Sequence, residues 1–346
     1  AESTGVNNAS TLHSLLGLFG EDGGFRKGEE DMLDAGLIIV DESSMMDMWL
    51  ARKFFSRIGP DTKVLLVGDA DQLQSVGAGD VFRELINCGL IPVTVLNEIF
   101  RQKKDSLIAY NAQKINNNDT SFFYGNDFTV CKCANQEEAA EHIRNIYLAQ
   151  VEQYGVDRVQ ILSPFRSTGA ASADQLNEVI RELVNPQTEE ADLKVGSLYF
   201  RVGDKIMQNK NSTKASNGDI GFIRSFRHDE RDGMRISIQF SPTRVVEYSM
   251  EEMGHVELAY ATTVHKAQGS EFDVVIFPLL RSHARMLTRS LVYTAITRAK
   301  AKVILVGQIG MLYMAVHKDD TGKRNTQLGR RITLYVNTFK VQKRSA

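Results

Sequence analysis

The sequence has no long apolar run, few cysteines and no excess of positive charge, and each shortage removes a class of function. Its longest apolar stretch, 272–280, contains Asp273 and Pro278 and is far too short to cross a bilayer. No charged, apolar and small-residue succession of a secretory signal opens the chain, so a cytoplasmic protein is expected. Three cysteines, Cys88, Cys131 and Cys133, make an odd count in 346 residues, which suits a reducing compartment better than a disulfide framework. Cys131 and Cys133 alternate on an expected strand without a second ligand pair nearby, so their spacing argues against zinc. A formal net charge of −2 excludes a surface coated in positive charge, and any contact with nucleic acid must be a local groove. Internal repeats and low-complexity linkers are also lacking.

One further absence is more specific. "LIIVDESSMM", residues 37–46, is an apolar run that ends in two carboxylates. Many nucleotide hydrolases hold magnesium in this way, at the tip of a buried strand and beside a glycine-rich phosphate loop, G-x-x-x-x-G-K-[ST]. No such loop is present. The sole Gly-Lys pair is Gly322-Lys323, followed by Arg324, with His317 where the first glycine would stand.

What is present is an alternation of strands and helices. With 42% hydrophobic and 24% charged residues, the chain can bury one large core or two to three smaller ones. Near-continuous apolar strands at 37–40, 64–67, 159–162, 274–277 and 303–306 predict parallel α/β sheet covered on both faces. Helical periodicity fits 49–58, 106–115, 136–154, 172–184 and 288–298. Between 195 and 255 the pattern changes to short β-rich segments separated by turns at Asn217-Gly218 and Asp232-Gly233, which predicts a small antiparallel barrel. A glycine-rich stretch at 18–31 reads as a hairpin or loop.

Asp41 and Glu42 follow an apolar strand and so emerge at its C-terminal end, the usual ligand edge of an open α/β sheet; alone, such a pair fits a solvated loop as well as a metal site. "VLLVGDADQLQSVGAGD" places Gln72 beyond the next strand, where its amide could sense a terminal phosphate, although Gly-Asp after a strand is also a common turn. Arg101 in "LNEIFRQ" could reach a phosphate or be an ordinary surface side chain. "YATTVHKAQGSEFDVVIF" clusters Thr263, His265, Lys266, Gly269 and Ser270 before an apolar strand, where backbone amides and short polar groups could grip phosphates. "LVYTAITRAKAKVILVG" carries Thr294 and Arg298 four apart on one helix face, with Arg298 a candidate arginine finger.

The succession "STLHSLLG", "LIIVDESSMM", "LLVGDADQLQSVGAGD", "IFRQ", "ILSPFR", "TTVHKAQGSEFD" and "LVYTAITRAK" resembles the superfamily 1 DNA helicases of the RecD/TraA branch, over essentially the whole chain. The resemblance implies two RecA-like parallel-sheet domains around an ATP cleft, the first incomplete, with a small β-barrel inserted in the second. Residues 1–98 would be the remainder of the first domain, 99–195 with 257–346 the second, and 196–256 the barrel. The hairpin at about 18–31 would be a duplex-splitting wedge tipped by Phe25, Arg26 and Lys27.

By the same resemblance Asp41 positions Mg2+ through water and Glu42 activates the attacking water. Gln72 reads the γ-phosphate of ATP, Arg101 and Arg298 reach it from the second domain, Gly269 lies at the nucleotide and Glu271 contacts its sugar. Thr263, His265, Lys266 and Thr294 fall on the single-strand side, with Arg166, Asn209 and Lys210 as further DNA contacts. Implied partners are single-stranded DNA, duplex junctions and nuclease or recombination subunits. The family's phosphate loop normally precedes "STLHSLLG", so the chain is expected to be the C-terminal part of a longer 5′→3′ helicase and to be inactive alone as an ATPase. A non-catalytic nucleic-acid or protein binding module is the alternative.

Overall fold

The computed structural model describes residues 9–18, 31–96, 106–188, 192–229, 233–319 and 324–344. Contacts divide the chain into two compact units, Ala1–Glu98 with Asp320–Ala346, and Ile99–Asp319. No helix among the described residues is long and apolar enough to cross a membrane.

The first unit is built on two parallel strands, Leu37–Val40 and Lys63–Leu66, paired from Leu37 opposite Lys63 to Val40 opposite Leu66. Helix Met48–Phe55 begins at Asp47, whose carboxylate accepts the Leu50 N–H at 2.8 Å and so satisfies a helix-end donor. Successive strand side chains point to opposite faces, and among the described residues only one face is packed into a core. Val40, with the partly buried Ile38, Val64 and Leu66, packs into a core with Leu16, Met46, Leu50, Phe54 and Val81. Leu37, Ile39 and Leu65 on the alternate positions stand 54%, 60% and 49% exposed. The expectation of burial on both faces is therefore corrected for this sheet.

A second correction concerns the end of the chain, which the sequence places in the second domain. Helix Leu328–Arg344 belongs by its contacts to the first unit. Leu328 packs against that unit's core, and the Gly329 N–H donates to Glu84 Oε2 at 2.7 Å.

The second unit has five parallel strands in the order Ala261–Thr263, Val159–Ser163, Phe272–Leu279, Ala299–Gly307, Phe128–Lys132. Consecutive residues are buried on both faces: Ile161 with Leu162, and Val274 through Phe277, have no exposed surface. Helices Leu107–Asn116, Gln136–Tyr154, Ala173–Val184, Arg289–Thr297 and Ile309–His317 complete the α/β layers.

Inserted before the Ala261–Thr263 strand is a five-stranded antiparallel sheet, ordered Arg244–Ser249, Gly233–Ser241, Ile220–Asp229, Lys205–Gln208, Val256–Leu258. No pairing joins the first of these strands to the last among the described residues, so the expected barrel takes the form of an open sheet. Nor is it a separate body, because Ile206, Ile223, Ile238 and Tyr248 share one core with Val159, Ile161 and Val274.

A buried lysine crosses that shared core. Lys205 has no exposed surface, and its ammonium nitrogen donates to the carbonyls of Val156 at 2.9 Å and Val159 at 3.0 Å. The neighbouring Asp204, also fully buried, accepts from Asn185 Nδ2 at 2.9 Å, the Arg201 N–H at 2.7 Å and the Tyr260 hydroxyl at 3.0 Å. Burial pulls the Lys205 pKa from 10.5 down to about 7, against the opposing influence of Asp157.

Between those values the unfolded chain holds a proton that the folded chain has lost, so stability rises with pH across that window. The stability advantage of the wild type over Lys205→Met is expected to grow by about 1.4 kcal/mol per pH unit between about pH 7 and 9, read from urea unfolding. Parallel curves for the two proteins would mean that the amine stays charged in the fold.

Candidate functional site

In the first unit the site is made where the two parallel strands end. The Val67 N–H donates to the Val40 carbonyl and the Ser43 N–H to the Val67 carbonyl, each at 2.8 Å, so the "DESS" and "GDADQ" turns leave one sheet edge together. Glu42 stands there with φ 50° and ψ 40°, a left-handed conformation unusual for a residue with a side chain. Such a conformation costs about 1–3 kcal/mol and persists where surrounding bonds over-determine it. Asp41 Oδ1 accepts the Glu42 N–H at 2.8 Å, and the buried Ser43 hydroxyl donates to the Val40 carbonyl at 2.8 Å.

Beside this turn the Gln72 carboxamide is buried. Its Nε2 donates to Asp69 Oδ2 at 3.3 Å, while Oε1 is without a hydrogen-bond partner. The Ser44 hydroxyl is likewise buried and unpartnered. An exposed Asp41 carboxylate, Glu42 and these oxygens fit a hydrated hard cation carried with a nucleotide, which needs few protein ligands. They do not form a closed metal cage, and no group of three His, Cys, Asp or Glu able to hold a metal ion occurs among the described residues.

The loop that carries Gln72 is held by a residue that the sequence reading passed over. Arg324, which follows the Gly-Lys pair, donates from Nη1 to the carbonyls of Gly77 at 2.7 Å and Gly79 at 2.6 Å, and from Nη2 to the Ser75 carbonyl. Gly77 makes the loop's close approach possible, since a Cβ there would stand 2.0 Å from Asp47 Oδ2. Only the arginine's persistence beyond a failed phosphate-loop match could have drawn attention to it.

In the second unit a single segment, 263–271, serves two groups of candidates. Its latter half brings Gly269, Glu271 and Arg298 together. Gly269 takes φ +78°, the Arg298 guanidinium donates to the Ser270 carbonyl at 3.4 Å, and Glu271 pairs with Lys300 at 3.0 Å. Arg298 is only 2% exposed. Thr294 is fully buried in the Arg289–Thr297 helix, so it is not placed to meet a strand from solvent.

The first half of the segment lies against the inserted sheet. Glu257 pairs with the Lys266 ammonium through Oε1 and with Arg166 through Oε2 at 3.3 Å. The Asn209 N–H donates to the His255 carbonyl at 2.8 Å, and a side chain at Gly218 would meet the Lys266 carbonyl at 3.5 Å. Thr263, His265, Lys266, Asn209 and Lys210 are all partly exposed, and Arg166 is exposed. Phe25, Arg26, Lys27 and Arg101 lie outside the described residues.

Residues 1–136 match an AAA domain, residues 176–240 the SH3 domain of ATP-dependent RecD-like DNA helicases, and residues 258–306 a UvrD-like helicase C-terminal domain. The chain is 33% identical over 333 residues to the ATP-dependent RecD2 DNA helicase of Deinococcus radiodurans, covering 96% of this chain and 44% of that protein. It is 29% identical over 341 residues to the RecBCD enzyme subunit RecD of Mycolicibacterium smegmatis, covering 91% of this chain and 58% of the relative. The chain thus spans about half the length of the curated relatives it matches. Its fold is similar to that of the Pif1 helicase from Candida albicans, with a TM-score of 0.50 and 18% identity over 88% of this chain and 76% of that one. On these matches, the chain belongs to the RecD-like helicase family.

Proposed function

We propose that this chain is part of an ATP-dependent DNA helicase that moves 5′→3′ on single-stranded DNA and opens duplex junctions in repair, recombination or conjugation. The observation that carries the reading is the 263–271 segment. One end holds Lys266 beside Arg166 through Glu257, and the other holds the Ser270 carbonyl to Arg298. A group that grips a DNA backbone and a group that answers to a nucleotide are thereby joined by a few residues of chain. Asp41 would hold Mg2+ through water, with Glu42 placed to take the proton of the attacking water and Gln72 to sense the terminal phosphate. The 346 residues contain no phosphate-loop sequence, so the chain by itself is expected not to hydrolyse ATP. Six of the relatives are named as RecBCD subunits, which supports assembly with nuclease or recombination subunits.

The test is binding of the chain to unrelated single-stranded oligonucleotides over a range of salt. Backbone contacts release counterions, so affinity is expected to fall steeply with salt and to show little sequence preference. Lys266→Ala is expected to weaken binding about threefold to tenfold, equally for every sequence. Binding that ignores salt, or that depends on one sequence, would place the groove elsewhere.

A further inference from the structure

Arg166 and Lys266 occupy corresponding places: each lies just beyond one of two neighbouring parallel strands, Val159–Ser163 and Ala261–Thr263. Between the two side chains is Glu257, on the Val256–Leu258 strand of the inserted sheet. That strand is paired along its length with Lys205–Gln208, with Glu257 opposite Met207, so the carboxylate is fixed by a sheet rather than carried on a loop. Its side chain is 18% exposed and that of Lys266 25%, whereas Arg166 is 62% exposed and also stands 3.8 Å from Asp174.

A carboxylate and a phosphodiester each offer two anionic oxygens, and guanidinium and ammonium donors accept either. Resting on the reading of Arg166 and Lys266 as backbone contacts, we infer that Glu257 is an internal competitor of the DNA phosphate. It occupies both cations in the free protein, and a backbone phosphate must displace it or share the cations with it. The inserted sheet thereby sets how tightly the parent sheet's edge grips DNA. A motor must release each phosphate after gripping it, and a fixed rival anion keeps that exchange shallow.

The test compares the wild-type chain with Glu257→Gln on a fluorescent oligothymidine of about 15 nucleotides, from about 50 to about 200 mM salt. The substitution keeps the side chain's shape and removes its charge. Expected at the lowest salt is binding tighter by about threefold to tenfold, with the slope of log affinity against log salt steeper by about 0.7. The gain should vanish when Lys266→Ala and Arg166→Ala are added. If Glu257→Gln fails to fold, Glu257→Asp draws the carboxylate back by one methylene and should give a smaller gain of the same sign.

Weaker binding by a folded Glu257→Gln protein would mean that the carboxylate orients the cations and does not compete, and would overturn the inference. So would unchanged affinity and slope, with the DNA reading left intact because the wild type still binds. Failure of both proteins to bind at the lowest salt would remove the nucleic-acid reading and this inference with it. Binding by Glu257→Gln alone is the expected result at its extreme.

Discussion

In a protein where a phosphate loop precedes this chain, Glu42→Gln is expected to lower DNA-stimulated ATP hydrolysis by about 10²–10⁴ while leaving ATP binding nearly intact. The reason lies in the geometry of the strand end. Asp41 has one oxygen engaged by the Glu42 N–H, and Glu42 is set in a left-handed conformation beside the Gln72 loop. Glutamine has the same shape but cannot accept the proton of a water molecule, so binding should survive and turnover should not. The measurement is steady-state ATPase with saturating single-stranded DNA, together with the affinity for a fluorescent ATP analogue. Equal turnover by the two proteins would remove Glu42 from the base role, and a matching loss of affinity would show that the carboxylate serves binding instead.

Arg298→Ala in the same protein is expected to reduce the hydrolysis rate by about 10³–10⁵, with nucleotide affinity falling much less. A guanidinium directed at a transferring phosphoryl group contributes mainly as charge develops there. Arg298 also has a local task, because it donates to the Ser270 carbonyl and its own carbonyl accepts the Phe272 N–H at 2.9 Å. Alanine therefore tests two things at once, and Arg298→Lys separates them. Lysine restores the charge without the planar fork, so partial recovery of rate at unchanged thermal stability supports the phosphoryl role. Normal turnover by the alanine variant would rule that role out.

Much of the second unit could be read directly from residues. The apolar runs at 159–162, 274–277 and 303–306 read as buried parallel strands, and they pair as such because continuous hydrophobicity has no other outlet in a layered α/β sheet. The same kind of run misled at 37–40. There Leu37 and Ile39 face outward, since burial depends on which layers lie against a strand and not on the strand's composition. Thr294 shows a related limit. It and Arg298, four residues apart, are both buried as a shared face requires, but that burial keeps Thr294 from solvent, which spacing alone does not reveal.

By itself the sequence determined the alternation of elements, the inserted β-rich segment, the order of the motifs and the family, because each of these is written in local period, turn chemistry or short contiguous runs. Only the tertiary structure decided which charges meet. Arg324 holds the loop at Gly77 across 247 residues, and Glu257 joins Arg166 across 91 and Lys266 across 9. Lys205, a residue type that composition assigns to solvent, is fully buried because two backbone carbonyls 46 and 49 residues away await its protons. Such partnerships are set by which loops and sheets close on one another, and residues so far apart along the chain leave no periodic trace of their meeting.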